Sequence, residues 1–138
     1  MLTEKVVFSP KIQPIRLPKH DLHVPNGTPV ITAGWGFTDP EIMSTSDDLM
    51  EVNINIIDWQ ICEELLPFFT QRMICAGNLD GGLGSCHGDS GGPLELNGTL
   101  IGIVSYKHPN RPCGAAGYPV AYTKVPDFLT WINKNIDF

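Results

Sequence analysis

The sequence has no long apolar run and no cluster of basic residues. Its apolar stretches are shorter than the roughly 18 residues that indicate a membrane-spanning helix. Residues 1–8 lack the extended apolar region of a signal peptide. The nine Lys and Arg side chains form no basic stripe, and the net charge is −6. We therefore expect no contact with a membrane and no nucleic acid partner.

Closely spaced cysteine pairs are also absent. The four cysteines are Cys62, Cys75, Cys86 and Cys113, and no two are spaced as C-x-x-C. This spacing supports neither a zinc site nor a thioredoxin-like motif, and we expect no metal and no other cofactor. Several pairings into disulfides are possible, and the spacing alone does not choose among them. Two Asn-Gly-Thr triplets, at Asn26 and Asn97, fit the N-glycosylation pattern.

Glycine and proline are plentiful, at 14 and 12 residues, and they are spread along the whole chain. Such frequent interruption favours short strands joined by turns. The clearest alternation is in residues 49–57, where Met50, Val52, Ile54 and Ile56 alternate with polar residues, as in a half-buried strand. About six strands are expected in all, and the sequence pattern places five of them, at residues 28–35, 49–57, 73–76, 100–106 and 120–125.

Helices are expected at only two places. Asp58 can cap a short helix that runs to about Leu66. Asp127, after Pro126, can begin a helix over residues 127–136, where apolar residues recur at helical spacing. Residues 1–27 are punctuated by proline and should form an extended arm. The prediction is an all-β protein, an antiparallel barrel or sandwich with a C-terminal helix.

Residues 84–93, GSCHGDSGGP, carry the most distinctive chemistry. Glycines on both sides of Ser90 let the backbone adopt φ > 0 and let a substrate approach. Two converging backbone N–H groups would form an oxyanion hole beside the hydroxyl. The segment could otherwise be a tight turn that holds a buried acid. A strand–helix elbow of an α/β-hydrolase does not fit, because no alternating strands and helices surround the segment.

The longer string resembles the signature of chymotrypsin-like (trypsin-like, peptidase S1) serine proteases. Further segments match that family in order: residues 14–18, PIRLP; 33–36, AGWG; 73–77, MICAG; 101–106, IGIVSY; and 118–125, YPVAYTKV. The resemblance covers the C-terminal half of the family's domain. It implies that residues 1–27 are an interdomain arm and lead-in segment. Residues 28–138 would be the six-stranded second barrel, with its terminal helix at 127–136.

The resemblance also implies roles for individual residues. Ser90 would be the nucleophile of a serine endopeptidase that works through an acyl-enzyme. The N–H groups of Gly88 and Ser90 would form the oxyanion hole. Asp89 would be the acid that pairs with the new N-terminal amine after zymogen cleavage. Disulfides would join Cys62 to Cys75 and Cys86 to Cys113, which favours an oxidising, extracellular compartment.

The floor of the family's substrate pocket matches an uncharged residue in this sequence. This residue is Gly84, which lacks the carboxylate that binds Lys or Arg, and Val120 in the wall narrows the slot. We expect a chymotrypsin- or elastase-like preference for apolar side chains. The pocket residues implied by the resemblance are Gly84, Ser85, His87, Ser105, Tyr106, Lys107 and Val120.

The catalytic His and Asp of the family would lie upstream of Met1. None of His20, His23, His87 and His108 matches the catalytic His, and His87 is expected at the pocket rim. We therefore expect this chain to be inactive alone. A missing N-terminal barrel or another chain should cover its exposed face, and its other partner is a protein or peptide substrate. Two alternatives remain: a non-catalytic protease homologue that binds or regulates, and an unrelated barrel with a chance motif.

Overall fold

A computed structural model describes residues 3–39 and 42–136. Six antiparallel strands close into a barrel in the order β1-β2-β3-β6-β5-β4. The strands are β1 (Pro29–Gly34), β2 (Met50–Ile57), β3 (Met73–Gly77), β4 (Pro93–Leu96), β5 (Thr99–Lys107) and β6 (Val120–Lys124). Closure of the barrel confirms the all-β, six-stranded fold and decides between barrel and sandwich.

Strand β2 shows how the sequence pattern produces the core. Ile54 and Ile56 are 2% and 3% exposed, while the alternate residues Asn53 and Asn55 face solvent. Met50, which the same pattern places inside, is 47% exposed, because that end of β2 pairs with β1 but extends beyond β3. Together with Ile54 and Ile56, the interior contains Val30, Ala76, Leu94, Ile101, Val104, Val120 and Tyr122.

Strand β4 closes the barrel, and the sequence pattern did not place it. Its residues pair with β1 on one side and with β5 on the other. It has four residues, PLEL, which is too short for a convincing alternation directly after a Gly-rich loop. The turn to β5 is Asn97-Gly98, with φ of 49° and 76°. Two successive positive φ values are what a tight hairpin turn requires, and Asn-Gly tolerates them best.

The two helices differ in how well the sequence predicted their starts. The side chain of Asp58 accepts a hydrogen bond from Gln60 N–H and caps α1 (Trp59–Leu65), as predicted. The predicted start of the last helix at Asp127 is wrong. A 3₁₀ turn covers Val125–Phe128, and α2 spans Leu129–Asn135. The carboxylate of Asp127 pairs with Lys124 Nζ at 3.3 Å and does not cap α2.

The extended arm before β1 is attached to the barrel at the start of β5. The backbone of Arg16 forms a bridge to Thr99. Leu100 N–H donates to Arg16 O over 2.9 Å. Farther towards the N-terminus, Val7 and Phe8 are 81% and 61% exposed. The division between arm and barrel at residues 27 and 28 stays a prediction.

Within the described ranges, no helix is long and apolar enough to cross a membrane.

Candidate active site

The structure contains two disulfides, and one of them holds the loop that carries Ser90. Cys86 and Cys113, with Cα atoms 5.4 Å apart, join the Gly-rich loop between β3 and β4 to the loop between β5 and β6. Cys62 and Cys75, with Cα atoms 6.2 Å apart, join α1 to β3. Both pairings that the resemblance implied are confirmed. The first of them fixes the loop that bears Ser90 against the opposite side of a cavity.

Ser90 is exposed in a tight turn of this loop. Asp89 N–H donates to Cys86 O over 3.1 Å, and Gly92 N–H donates to Asp89 O over 2.8 Å. Gly88 has φ of 98°, and a Cβ there would lie 3.0 Å from the Cα of Gly36. Glycine is therefore needed at position 88 both for its backbone conformation and for the close approach of another segment.

The N–H groups of Gly88 and Ser90 have no acceptor among the residues that the structure describes. The hydroxyl of Ser90 likewise makes no hydrogen bond to any of them. Two unpaired donors beside an exposed hydroxyl could bind an oxygen that gains negative charge. This arrangement suits attack on a carbonyl carbon.

The carboxylate of Asp89 is half-buried next to this turn. One oxygen accepts from Gly36 N–H and the other from Cys86 N–H, each over 2.8 Å. In this structure the partners of the acid are backbone groups and not an N-terminal amine. A Cβ at Gly34 or Gly36 would collide with the carboxylate. Asp89 also lines a cavity of about 230 Å³, so a cation that entered the cavity could reach it.

A second cavity, of about 250 Å³, lies directly beside Ser90. Gly84 is not among its lining residues. Gly84 instead lines the cavity of Asp89. A Cβ added at Gly84 would lie 3.7 Å from Val120 Cγ2. The lining also includes Cys86, Val104 and Pro109, which the resemblance had not named. The predicted pocket residues that line the cavity are Ser85, His87, Ser105, Tyr106, Lys107 and Val120.

Lys107 is the only Lys or Arg in this lining, and the lining contains no carboxylate. The ammonium of Lys107 donates to the backbone oxygen of Arg111. Burial raises the pKa of the Tyr106 phenol, whose hydroxyl donates to Pro67 O over 2.7 Å. The cavity therefore has no group that would bind a basic side chain as an ion pair.

A buried hydroxyl network lies beneath this cavity. Ser85 Oγ is 3.0 Å from both Thr32 Oγ1 and Tyr122 OH. Burial raises the pKa of Tyr122 from 10.0 to about 12, partly offset by its hydrogen bonds to Ser85 and Thr32. The folded protein therefore binds this proton more tightly than the unfolded chain. The resulting stability is complete below about pH 10 and is lost as the pH rises towards about 12. Sequence reasoning missed Thr32 and Tyr122, which occupy inward-facing strand positions.

Replacing Ser85 with alanine should lower the free energy of unfolding by about 1–3 kcal/mol, because buried hydroxyls would lose a partner. Urea denaturation at neutral pH measures this loss. Ser105→Ala is the matched control, because its hydroxyl is exposed in the same cavity and its loss should cost about 0.5 kcal/mol or less. Equal losses in the two variants would contradict the importance of the network.

The four histidines do not provide Ser90 with a base in this structure. The His87 ring packs near Phe37, with ring centroids 5.7 Å apart, and the His108 ring packs edge-on against Tyr118. His20 and His23 lie exposed in the arm. No histidine donates to or accepts from Ser90 Oγ within residues 3–39 and 42–136. A serine hydroxyl is a weak nucleophile without such a base.

Comparison with known proteins decides the family. The sequence profile described as Trypsin matches residues 1–132. The chain belongs to the trypsin family of serine proteases. Neuropsin, a serine protease expressed in the limbic system of mouse brain, has a solved structure that superposes with a TM-score of 0.88 at 33% identity. The match covers 98% of this chain and 59% of the neuropsin chain.

Curated relatives match nearly all of this chain. A thrombin-like enzyme, bhalternin, from Bothrops alternatus is 43% identical and is covered over 51% of its length. Kallikrein 1-related peptidase b3 from Mus musculus is 36% identical, also with 51% covered. A snake venom serine protease homolog from Bothrops jararacussu is 43% identical, again with 51% covered. In each match 98% of this chain is aligned. The chain thus spans about half the length of these relatives.

Proposed function

We propose that this chain is the nucleophile-bearing half of a secreted serine endopeptidase. The observation that supports this most is the exposed hydroxyl of Ser90 beside the unpaired N–H groups of Gly88 and Ser90. Ser90 Oγ attacks the carbonyl carbon of a peptide bond and passes its proton to a base. The two N–H groups stabilise the tetrahedral oxyanion, the amine leaves with a proton, and water then hydrolyses the acyl-enzyme.

The base and the acid that orients it come from outside this chain. No histidine hydrogen-bonds to Ser90 among the described residues, so another part of the protein or another chain must supply them. We call this chain, together with the part that supplies the His and the Asp, the assembled protease. The exposed side chains of Val7, Phe8 and Trp35 offer apolar surface for that contact. An N-terminal amine that enters the cavity of Asp89 would pair with its carboxylate and hold the loop. The chain alone is inactive.

The cavity beside Ser90 favours a small or medium apolar side chain on the acyl side of the cleaved bond. Val104 and Val120 narrow its walls, and its lining has no carboxylate to bind Lys or Arg. The ammonium of Lys107 at the wall further repels a basic side chain. The two disulfides fit an oxidising compartment, which supports secretion.

Peptide substrates that differ only at this position test the proposal. The assembled protease should cleave after Val or Leu with a kcat/KM about 10–100 times higher than after Arg. Val120→Gly widens the cavity and should shift the preference towards Phe. Thr130→Ala, which removes an exposed hydroxyl from α2, should leave the ratio unchanged. A preference for Arg would overturn the proposed specificity.

The second candidate is a non-catalytic homologue that binds or regulates. One relative is described as a serine protease homolog, and no base for Ser90 lies among the described residues. The intact Ser90 and the two free N–H donors favour the enzyme. The two candidates differ in one measurement, because only the enzyme hydrolyses peptides once assembled.

A further inference from the structure

The two Asn-Gly-Thr triplets occupy different structural settings. Asn97 lies at the tip of the hairpin between β4 and β5, whereas Asn26 lies at the end of the arm, shortly before β1. Both asparagines are exposed, so exposure alone does not distinguish them. The two asparagines differ in the contacts that their side chains make.

The backbone of the Asn97 turn is held while its side chain is left free. The carboxylate of Glu95 accepts from Gly98 N–H, and the guanidinium of Arg16 donates to Asn97 O and to Gly98 O. The carboxamide of Asn97 makes no hydrogen bond to any described residue. A bulky polar group on its nitrogen would extend from a rigid turn into solvent without breaking a contact.

The carboxamide of Asn26, in contrast, already accepts a hydrogen bond within the fold. Its Oδ1 accepts from Asp58 N–H over 3.0 Å, directly before α1. The flanking residues are tied to β2, because Gly27 N–H donates to Ile56 O over 2.8 Å and Ile56 N–H donates to Thr28 O over 2.9 Å. Asn26 also lines a cavity of about 280 Å³. A sugar at Asn26 would crowd the mouth of that cavity.

We propose that Asn97 carries an N-linked glycan and that Asn26 does not. The side-chain nitrogen attacks C1 of a lipid-pyrophosphate-linked oligosaccharide. The new N–C1 bond replaces the C1–O bond, the lipid pyrophosphate leaves, and the amide nitrogen loses a proton. This rests on the secretion that we propose above and does not depend on catalysis.

The glycan leaves the active site open. Ser90 precedes one end of β4 and Asn97 follows the other. A four-residue strand is about 13 Å long, at about 3.4 Å per residue. The sugar therefore sits at the end of the barrel where Arg16 attaches the arm, and not over the cavity beside Ser90.

The test expresses the full polypeptide that contains these residues in a eukaryotic secretory host, behind the host's own signal peptide. Glycopeptides are mapped by mass spectrometry from secreted and cell-associated material. Removal of glycan by glycosidase in heavy-oxygen water separates true sites from spontaneous deamidation at Asn-Gly. We expect glycan on Asn97, lost in Asn97→Asp and in Thr99→Val. Asn26→Asp keeps an acceptor for Asp58 N–H and should leave the glycan mass unchanged.

Glycan at Asn26, at both sites or at neither would overturn the assignment. Peptide hydrolysis is measured on the same material, so that failure of the glycan assignment and failure of the proposed protease activity are seen separately. An unglycosylated active enzyme would contradict only the glycan, and a glycosylated inactive protein would contradict only the activity.

Discussion

Replacing Ser90 with alanine in the assembled protease should lower kcat/KM on the order of a millionfold, the size of effect seen when a catalytic serine is lost. In the proposed mechanism the hydroxyl oxygen forms the acyl-enzyme, and alanine has no atom that could take its place. The oxyanion donors are backbone groups and survive the change, so slow residual hydrolysis by water should remain. Initial rates on the best apolar substrate measure the effect.

The control for this experiment separates chemistry from folding. Ser90 is exposed and makes no hydrogen bond to a described residue, so Ser90→Ala should keep the stability of the parent protein. Thr130→Ala, which removes an exposed hydroxyl from α2, should keep both stability and activity. Retention of most of the activity in Ser90→Ala would mean that another nucleophile is at work.

Removing the disulfide between Cys86 and Cys113 should destabilise the protein and disturb the active site. The double substitution Cys86→Ser, Cys113→Ser opens a loop whose ends are 27 residues apart. It should lower the free energy of unfolding by about 3 kcal/mol, as measured by urea denaturation. It should also raise KM, because this bond holds the Ser90 loop at the cavity beside it.

The other disulfide is the matched control. Cys62→Ser, Cys75→Ser opens a loop whose ends are 13 residues apart and should cost a similar amount, about 3 kcal/mol. It joins α1 to β3 and does not line the cavity beside Ser90. KM should therefore stay near that of the parent protein. If both double variants changed KM equally, the disulfide at Cys86 would have no special role in the site.

The fold was most predictable where one periodicity covered a whole element. The alternation in β2 predicted that Ile54 and Ile56 face the core, although it also placed Met50 there, and Asp58 predicted the start of α1. The strand β4 was missed because four residues directly after a Gly-rich loop carry too little pattern. The predicted start of α2 was wrong because a 3₁₀ turn over Val125–Phe128 precedes the helix, and Asp127 within that turn pairs with Lys124.

The candidate site was likewise predictable only in part from the sequence. The segment around Ser90 was recognisable because its pattern of glycines is distinctive. The other family-like segments also occur in the family's order along the chain. The partners of Asp89 are backbone N–H groups, and every residue type offers those, so no sequence pattern marks them. Thr32 and Tyr122 meet Ser85 only because β1 and β6 lie in one closed barrel. Contacts of this kind depend on strand register, which the spacing of residues did not fix.

In the proposed mechanism, Ser90 becomes a nucleophile only when the rest of the active site is present. A fluorophosphonate tests this directly, because an activated serine hydroxyl displaces fluoride and retains the phosphonyl group. Peptide mapping by mass spectrometry should find the phosphonyl group on Ser90 of the assembled protease, with no label on this chain alone at the same concentration. Label on another residue, or equal labelling of the chain alone, would contradict this mechanism.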